Sequence, residues 1–172
     1  QQSKDFSIEL GLNKMDGATF RKGDNLTIFF RSDKNCYLLL LYQDVLGNRY
    51  ILYPNNETQK NTELKAGKDY VLYPDKETKR KLLKAGYKDY IQLEKSELKI
   101  SCEPACGLEM IWAFASEIQV ETAGATKNLN SSGLWGYPAS FSLSIILGQQ
   151  RGIKRSEKKA EARVHLTTVH RK

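Results

Sequence analysis

The sequence predicts a mainly β protein: an antiparallel β-sandwich, immunoglobulin-like, with one or two short flanking helices. Apolar and polar residues alternate in several short segments. Residues 33–55 contain an apolar run, a turn and a second run, and residues 108–116 form another apolar run with bulky aromatics. Short strands separated by turn residues are typical of two packed sheets. We treat residues 1–172 as a single domain, since a chain of 172 residues with 40% hydrophobic content can bury one sizeable core.

The segment 33–55 predicts a β-hairpin. Residues 36–42 are continuously apolar or aromatic, Gly47 and Asn48 can supply the positive φ angles of a tight turn, and residues 50–53 resume the strand. Pro54 then ends it. We expect the hairpin to lie at the centre of the core and the bound partner to be held elsewhere.

The remaining strands are predicted from alternation. In the first, Ile8, Leu10 and Leu12 share one face, as expected of a half-buried strand. Residues 108–116 predict a second central strand because the run is short and carries aromatics. The other predicted strands are residues 6–12, 25–31, 70–73, 90–93, 98–102 and 161–169.

Residues 75–95 predict a charged, helical insertion. Asp75 is a suitable N-cap and Gly86 stands where a helix would end. We expect Leu82 and Leu83 to turn inward.

Two further segments lack a strand pattern. Residues 117–136 are polar and small, which predicts a long mobile loop. Residues 138–147 predict a short helix with Pro138 in its first turn and with Phe141, Ile145 and the neighbouring Leu143 or Ile146 packed on a sheet. A strand is the alternative for that segment.

The composition leaves the location and the partner open. No apolar run approaches the roughly 20 residues of a membrane-spanning helix, and the opening QQSKDF indicates either a mature secreted product or part of a longer protein. The net charge of +7 favours acidic partners. The densest group of cations is a solvated helix face or an anion-binding face, and it consists of Lys76, Lys79, Arg80, Lys81 and Lys84.

The three cysteines allow one disulfide. Cys102 and Cys106 flank a short turn that can close in an oxidising compartment, whereas Cys36 fits a buried strand. One cysteine pair and two distant histidines do not make a zinc pattern, so no metal site is predicted.

No catalytic or cofactor-binding residues are predicted. His165 and His170 are separated by an odd number of residues, so they fall on opposite faces of a strand, and glycine-rich phosphate loops are absent from the sequence. Glu109 is the nearest candidate acid, although pairing with a lysine or with backbone N–H groups fits it as well. Asp24 fits a turn. Six tyrosines fit cross-strand packing better than a recognition groove, namely Tyr37, Tyr42, Tyr50, Tyr53, Tyr70 and Tyr73.

An ordered set of short motifs runs through nearly the whole chain. The motifs are Gly23-Asp24, residues 32–47, 53–55 and 64–70, Tyr73-Pro74, residues 107–109 and 112–116, Arg151-Gly152, residues 161–163 and Thr167-Thr168. As a set they resemble the bacterial domain of unknown function 4384 family. The resemblance implies a β-sandwich accessory module, of a kind often attached to kinases, caspase-like peptidases or envelope proteins, without established catalytic residues. The Lys-rich residues 76–95 and the loop 102–106 depart from the pattern.

These observations favour a non-enzymatic binding or assembly module of the bacterial envelope or surface, located in the periplasm or on the cell surface. We expect it to recognise a protein or polymer through an edge strand or a loop groove. One alternative is a hydrolytic enzyme whose site assembles only in space, with Glu109 or Asp24 beside His165. The other is a module that binds an anionic polymer or lipid surface through the Lys-rich helix. Nucleic acid is not the expected partner, and the oligomeric state is left open.

Overall fold

The structure is a computed structural model that describes residues 6–151 and 158–170. The opening residues 1–5 and Gly152 of the closing motif lie outside the described residues. The strands are β1 (Ile8–Leu12), β2 (Thr19–Arg21), β3 (Ile28–Ser32), β4 (Tyr37–Gln43), β5 (Arg49–Tyr53), β6 (Tyr70–Leu72), β7 (Ile91–Glu94), β8 (Leu108–Ser116), β9 (Gly136–Tyr137) and β10 (Lys159–Val169). The helices are α1 (Glu57–Lys60), α2 (Lys76–Lys84) and α3 (Leu143–Arg151).

The fold is mainly β, as predicted, and its strands form two sheets. One has the order β1-β3-β6-β7 and the other the order β2-β10-β8-β4-β5-β9. Most of the strand pairs are antiparallel, but β6 pairs with β7 and β10 pairs with β2 in parallel. Both sheets are therefore mixed.

The core lies between the two sheets. The inner face of the six-stranded sheet, which we define as the face toward the four-stranded sheet, carries Leu38, Leu40, Ile111 and Ala113, among other residues. Ile28, Phe30, Tyr70 and Leu72 of the four-stranded sheet belong to the same buried cluster. The hydrophobic effect of burying these side chains holds the two layers together.

The outer face of the six-stranded sheet is also covered. Leu39, Leu41, Trp112 and Phe114 form a second buried cluster, and Ile146 of α3 packs into it. Central strands β4 and β8 are consequently buried on both faces, which explains why their sequences are almost continuously apolar.

The predicted hairpin is confirmed as β4 and β5, which pair antiparallel. Gly47 has a φ of 90°, a conformation that glycine adopts without strain. Tyr50 and Tyr53 are buried on β5.

Three predicted details were wrong. Residues 98–102 form no strand beyond one bridge between Asn25 and Lys99, because Cys102 has a φ of 54° that ends an extended conformation. Leu83 of α2 is 63% exposed, since two adjacent leucines in a charged helix make no apolar stripe. Ile145 is exposed, whereas Phe141, Leu143 and Ile146 pack in the outer-face cluster as predicted; α3 begins at Leu143 and not near Pro138.

The charged segment 75–95 and the polar segment 117–136 both take part in the fold. Asp75 caps α2 by accepting a hydrogen bond from the Thr78 backbone N–H at 2.8 Å, as predicted. Strand β7, inside the segment 75–95, completes the four-stranded sheet. The segment 117–136 is irregular, but Val120 and Leu129 are buried. A third helix, α1, follows β5 and exceeds the one or two helices predicted. No helix among the described residues has the length and apolarity needed to cross a membrane.

Replacing Leu40 by alanine is expected to lower the free energy of unfolding by about 3 kcal/mol, because the side chain is fully buried between the sheets and its truncation leaves a cavity. Denaturant titration followed by circular dichroism measures the change. Leu83→Ala is the control, because it makes the same truncation at an exposed position, and it is expected to change the free energy by less than about 0.5 kcal/mol. Equal losses in the two variants would contradict the placement of these leucines.

Candidate functional site

A cavity of about 620 Å³ opens at one end of the space between the two sheets. Inner-face side chains of β4, β5 and β8 form one wall. The loop 98–104 and the turn 130–134 form the others. The lining residues are Leu26, Tyr42, Asp44, Leu46, Asn48, Tyr50, Leu52, Leu98, Lys99, Ile100, Ser101, Glu103, Pro104, Glu109, Asn130, Ser131, Ser132 and Leu134.

Glu109 reaches the cavity because of its register in β8. It pairs with Leu166 of β10, and Leu166 is a fully buried residue of the core between the sheets. Directly paired residues in antiparallel strands point to the same face, so Glu109 points inward. The residue is only 6% exposed, and its Oε2 atom has no hydrogen-bond partner among the described residues. A buried carboxylate oxygen without a donor is unusual and destabilising.

The surroundings of Glu109 raise the pKa of its carboxyl group. Burial is the largest cause, and the negative charge of Asp44 acts in the same direction. The hydroxyls of Thr168 and Tyr42 lower the pKa in part by hydrogen bonding to the carboxylate. Burial dominates, so the pKa lies above the ordinary range of a glutamate.

Asp44 has a different role in the same cavity. It is 4% exposed, and its carboxylate accepts hydrogen bonds from the Leu46 N–H at 3.0 Å, the Asn48 N–H at 3.0 Å and the Asn48 Nδ2 at 3.1 Å. The Tyr50 hydroxyl donates a fourth hydrogen bond at 2.9 Å. Asp44 thus fixes the loop between β4 and β5, and most of its acceptor capacity is used within the protein.

Two tyrosines place hydroxyls in the cavity. Asn130 donates from Nδ2 to the Tyr50 hydroxyl at 3.2 Å, which connects the turn 130–134 to the hairpin. Burial raises the pKa of Tyr50, and burial together with the charge of Glu109 raises that of Tyr42. Both phenols therefore stay protonated at neutral pH and can donate hydrogen bonds.

A disulfide lies beside the cavity wall. The structure joins Cys102 and Cys106 in the bond that their spacing allowed, and Ser101, Glu103 and Pro104 of this loop line the cavity. The third cysteine, Cys36, is free and buried, and burial raises the pKa of its thiol to about 11.

The charged residues of the cavity are predominantly acidic. Asp44, Glu103 and Glu109 line it together with Lys99, in a chain whose formal charge is +7. Within the part of the chain that the structure describes, no group of three or more His, Cys, Asp or Glu residues could hold a metal ion.

The predicted anion-binding face lies on α2, and none of its residues lines the cavity. Lys81 pairs with Glu77 at 3.3 Å between Nζ and Oε1. Lys79 is half-buried and the other cations are exposed. The complete face is Lys76, Lys79, Arg80, Lys81 and Lys84.

The residues considered for an enzyme site do not come together. Asp24 accepts a hydrogen bond from the Arg21 N–H at 2.8 Å and from the Lys14 Nζ at 3.3 Å, which is the turn role expected of it. His165 is exposed and pairs with Met110 in β8. Its register therefore places it on the opposite face of the sheet from Glu109.

Sequence reasoning singled out Glu109 but missed Asp44 and Asn130, and for Tyr42 and Tyr50 it favoured cross-strand packing over a recognition groove. The candidate site is built on the hairpin, which we had expected to serve only as core. One signal was present. Asp44 directly follows the apolar run of β4, and a carboxylate at the end of a buried strand can itself be buried. Asn130 had no comparable signal, because its contact spans 80 residues of sequence.

A model of the family described as a domain of unknown function (DUF4384) matches residues 19–119. This is more than half of the 172 residues. The chain belongs to the DUF4384 family. The DUF4384 match includes Tyr42, Asp44, Tyr50 and Glu109, whereas the turn with Asn130 follows it. Neither the curated proteins nor the solved structures gave a significant match.

Replacing Glu109 by glutamine is expected to raise the free energy of unfolding at pH 7 by about 1 kcal/mol, because the amide carries no charge to desolvate. The folded-state pKa is raised, so ionisation costs folding free energy above it and none below the unfolded-state value of about 4.3. The gain should therefore shrink as the pH falls toward 4. Denaturant titration across this pH range measures it.

Glu117→Gln is the control for this prediction, because it removes the same charge from an exposed position just after β8. Its effect should stay within about 0.5 kcal/mol at every pH. A loss of stability in Glu109→Gln at pH 7 would show that the ionised carboxylate supports the fold.

Proposed function

We propose that the chain is a non-enzymatic binding module that holds a polar group of a protein or polymer partner in the cavity. The observation that carries this proposal is the buried, incompletely paired carboxyl group of Glu109 in the lining of a cavity of about 620 Å³. Cavities of roughly 300–1,000 Å³ that combine apolar walls with a few placed polar groups are typical binding sites. A ligand that donates a hydrogen bond to this carboxyl group would offset part of the cost of its burial.

The cavity is organised before a ligand enters, which supports binding. Asp44, Tyr50 and Asn130 are joined by hydrogen bonds that fix the loop, the strand and the turn relative to one another. A preorganised site loses less conformational entropy on binding. The exposed part of the lining is mostly polar, but it includes Leu46, which is 61% exposed. An exposed leucine at a cavity suits contact with a partner surface.

The wider setting of the proposal is a module of the bacterial envelope or surface. We propose that the two sheets form an immunoglobulin-like β-sandwich, a scaffold that presents loops at its ends. The cavity and the loop 98–104 lie at such an end. The disulfide between Cys102 and Cys106 supports an oxidising, extracytoplasmic compartment such as the periplasm.

The proposal is tested by nuclear magnetic resonance with a panel of small amines, carboxylates, monosaccharides and capped dipeptides. At least one probe class is expected to shift the amide signals of residues 42–50, 109 and 130–132 in a saturable manner. Leu46→Trp places a large ring at the mouth and should weaken that binding at least tenfold. Leu108→Trp is the matched control, because Leu108 is 70% exposed and does not line the cavity.

Two results would contradict the proposal. One is a panel in which no probe shifts the cavity amides. The other is binding that is equally strong in Leu46→Trp and Leu108→Trp, which would place the probe outside the cavity.

A further inference from the structure

We propose that the group recognised in this cavity is an aliphatic ammonium, bound at Glu109 with its alkyl chain along the apolar walls. This inference rests on the proposed function and names the ligand class of the same site. It depends on three properties of the cavity: a free acceptor, an excess of negative charge and apolar sides.

The free acceptor is the carboxyl group of Glu109, which lines the cavity. The carboxylate of Asp44 already accepts four hydrogen bonds from the protein. The buried Oε2 atom of Glu109 accepts none from the described residues, and the residue is only 6% exposed. An ammonium supplies three donors to such a carboxyl group and to its neighbours.

The charged residues of the cavity favour a positively charged ligand. Three carboxylates, those of Asp44, Glu103 and Glu109, line the cavity together with one cation, that of Lys99. Glu103 and Lys99 are both exposed, whereas Asp44 and Glu109 are buried, so the deep part of the cavity is acidic. A carboxylate or phosphate would meet repulsion there, whereas an ammonium would relieve the repulsion between Asp44 and Glu109.

The sides of the cavity suit a methylene chain. Leu26 and Leu52 are fully or almost fully buried, and Ile100 is 4% exposed. All three line the cavity, as do the half-buried Leu98 and Leu134. Alkyl stems of amines pack along apolar surfaces while the charged head contacts polar groups. A straight-chain amine thus fits both the walls and the buried carboxylate.

The Tyr42 and Tyr50 hydroxyls and the Asn130 side chain could also serve a neutral ligand rich in hydroxyl groups. Such a ligand is uncharged, so the negative charge of the cavity would not attract it. The comparison of an amine with its alcohol analogue therefore decides between the two classes.

The experiment titrates the full chain with pentylamine and with 1-pentanol, and follows the amide signals by nuclear magnetic resonance. Capped lysine and capped Nε-acetyllysine form a second pair, which distinguishes a protein lysine from a free amine as the source of the ammonium. The charged member of each pair is expected to bind in the cavity at least tenfold more tightly than the neutral member. Tighter binding of capped lysine than of pentylamine would point to a lysine side chain of a partner, and the reverse to a free amine.

Glu109→Gln should remove the preference for the charged ligand and keep the folded amide spectrum. Glu117→Gln changes the net charge equally at an exposed position and should keep the preference, which excludes a general effect of charge. If the alcohol binds in the cavity as tightly as the amine, the ammonium assignment is wrong and the cavity still binds ligands. If neither shifts the cavity amides, the assignment is wrong, and the wider panel with Leu46→Trp separately judges the binding function.

Discussion

The structure depends on one constraint: strands β4 and β8 are buried on both faces, so alternate side chains must enter the space between the sheets. Along β8 this rule sends Ile111 and Ala113 into the core. The same alternation points Glu109 inward, because the pairing of β8 with β10 keeps one register to the first residue of β8. The core thus places a carboxylate in a position that a glutamate would not choose on solvation alone. This end of the six-stranded sheet becomes polar without any interruption of its strands.

The groups around this carboxylate act in opposite directions on its pKa. Burial and the charge of Asp44 raise the pKa, whereas the hydroxyls of Thr168 and Tyr42 lower it in part. The Oε2 atom of Glu109 still has no hydrogen-bond partner among the described residues. Burying it in this state lowers the free energy of unfolding. Binding sites commonly retain such groups, since a ligand recovers the interaction that the folded protein lacks. The unpaired oxygen thus supports the binding function that we propose for the cavity.

The sequence was sufficient for the elements that are defined by local pattern. The hairpin and β8 were predicted because their apolar runs are bounded by turn residues, and the cap of α2 was predicted from Asp75. Pairing partners were not predictable, because the parallel pairs of β6 with β7 and β10 with β2 depend on how distant segments meet. The same reason limits the site. Glu109 could be suspected from its neighbours, but its meeting with Asp44 and the joining of Asn130 to Tyr50 are products of topology.

The account depends most on Glu109. Its carboxyl group is buried in the lining of the cavity, and we expect its ionisation there to lower the free energy of unfolding. The most direct measurement is the pH titration of its side-chain carboxyl carbon by ¹³C nuclear magnetic resonance, with the signal assigned from its absence in Glu109→Gln. The account predicts a midpoint above the value of about 4.3 for an unperturbed glutamate. A midpoint at or below that value would show that the carboxylate is solvated or fully paired, and would contradict the account.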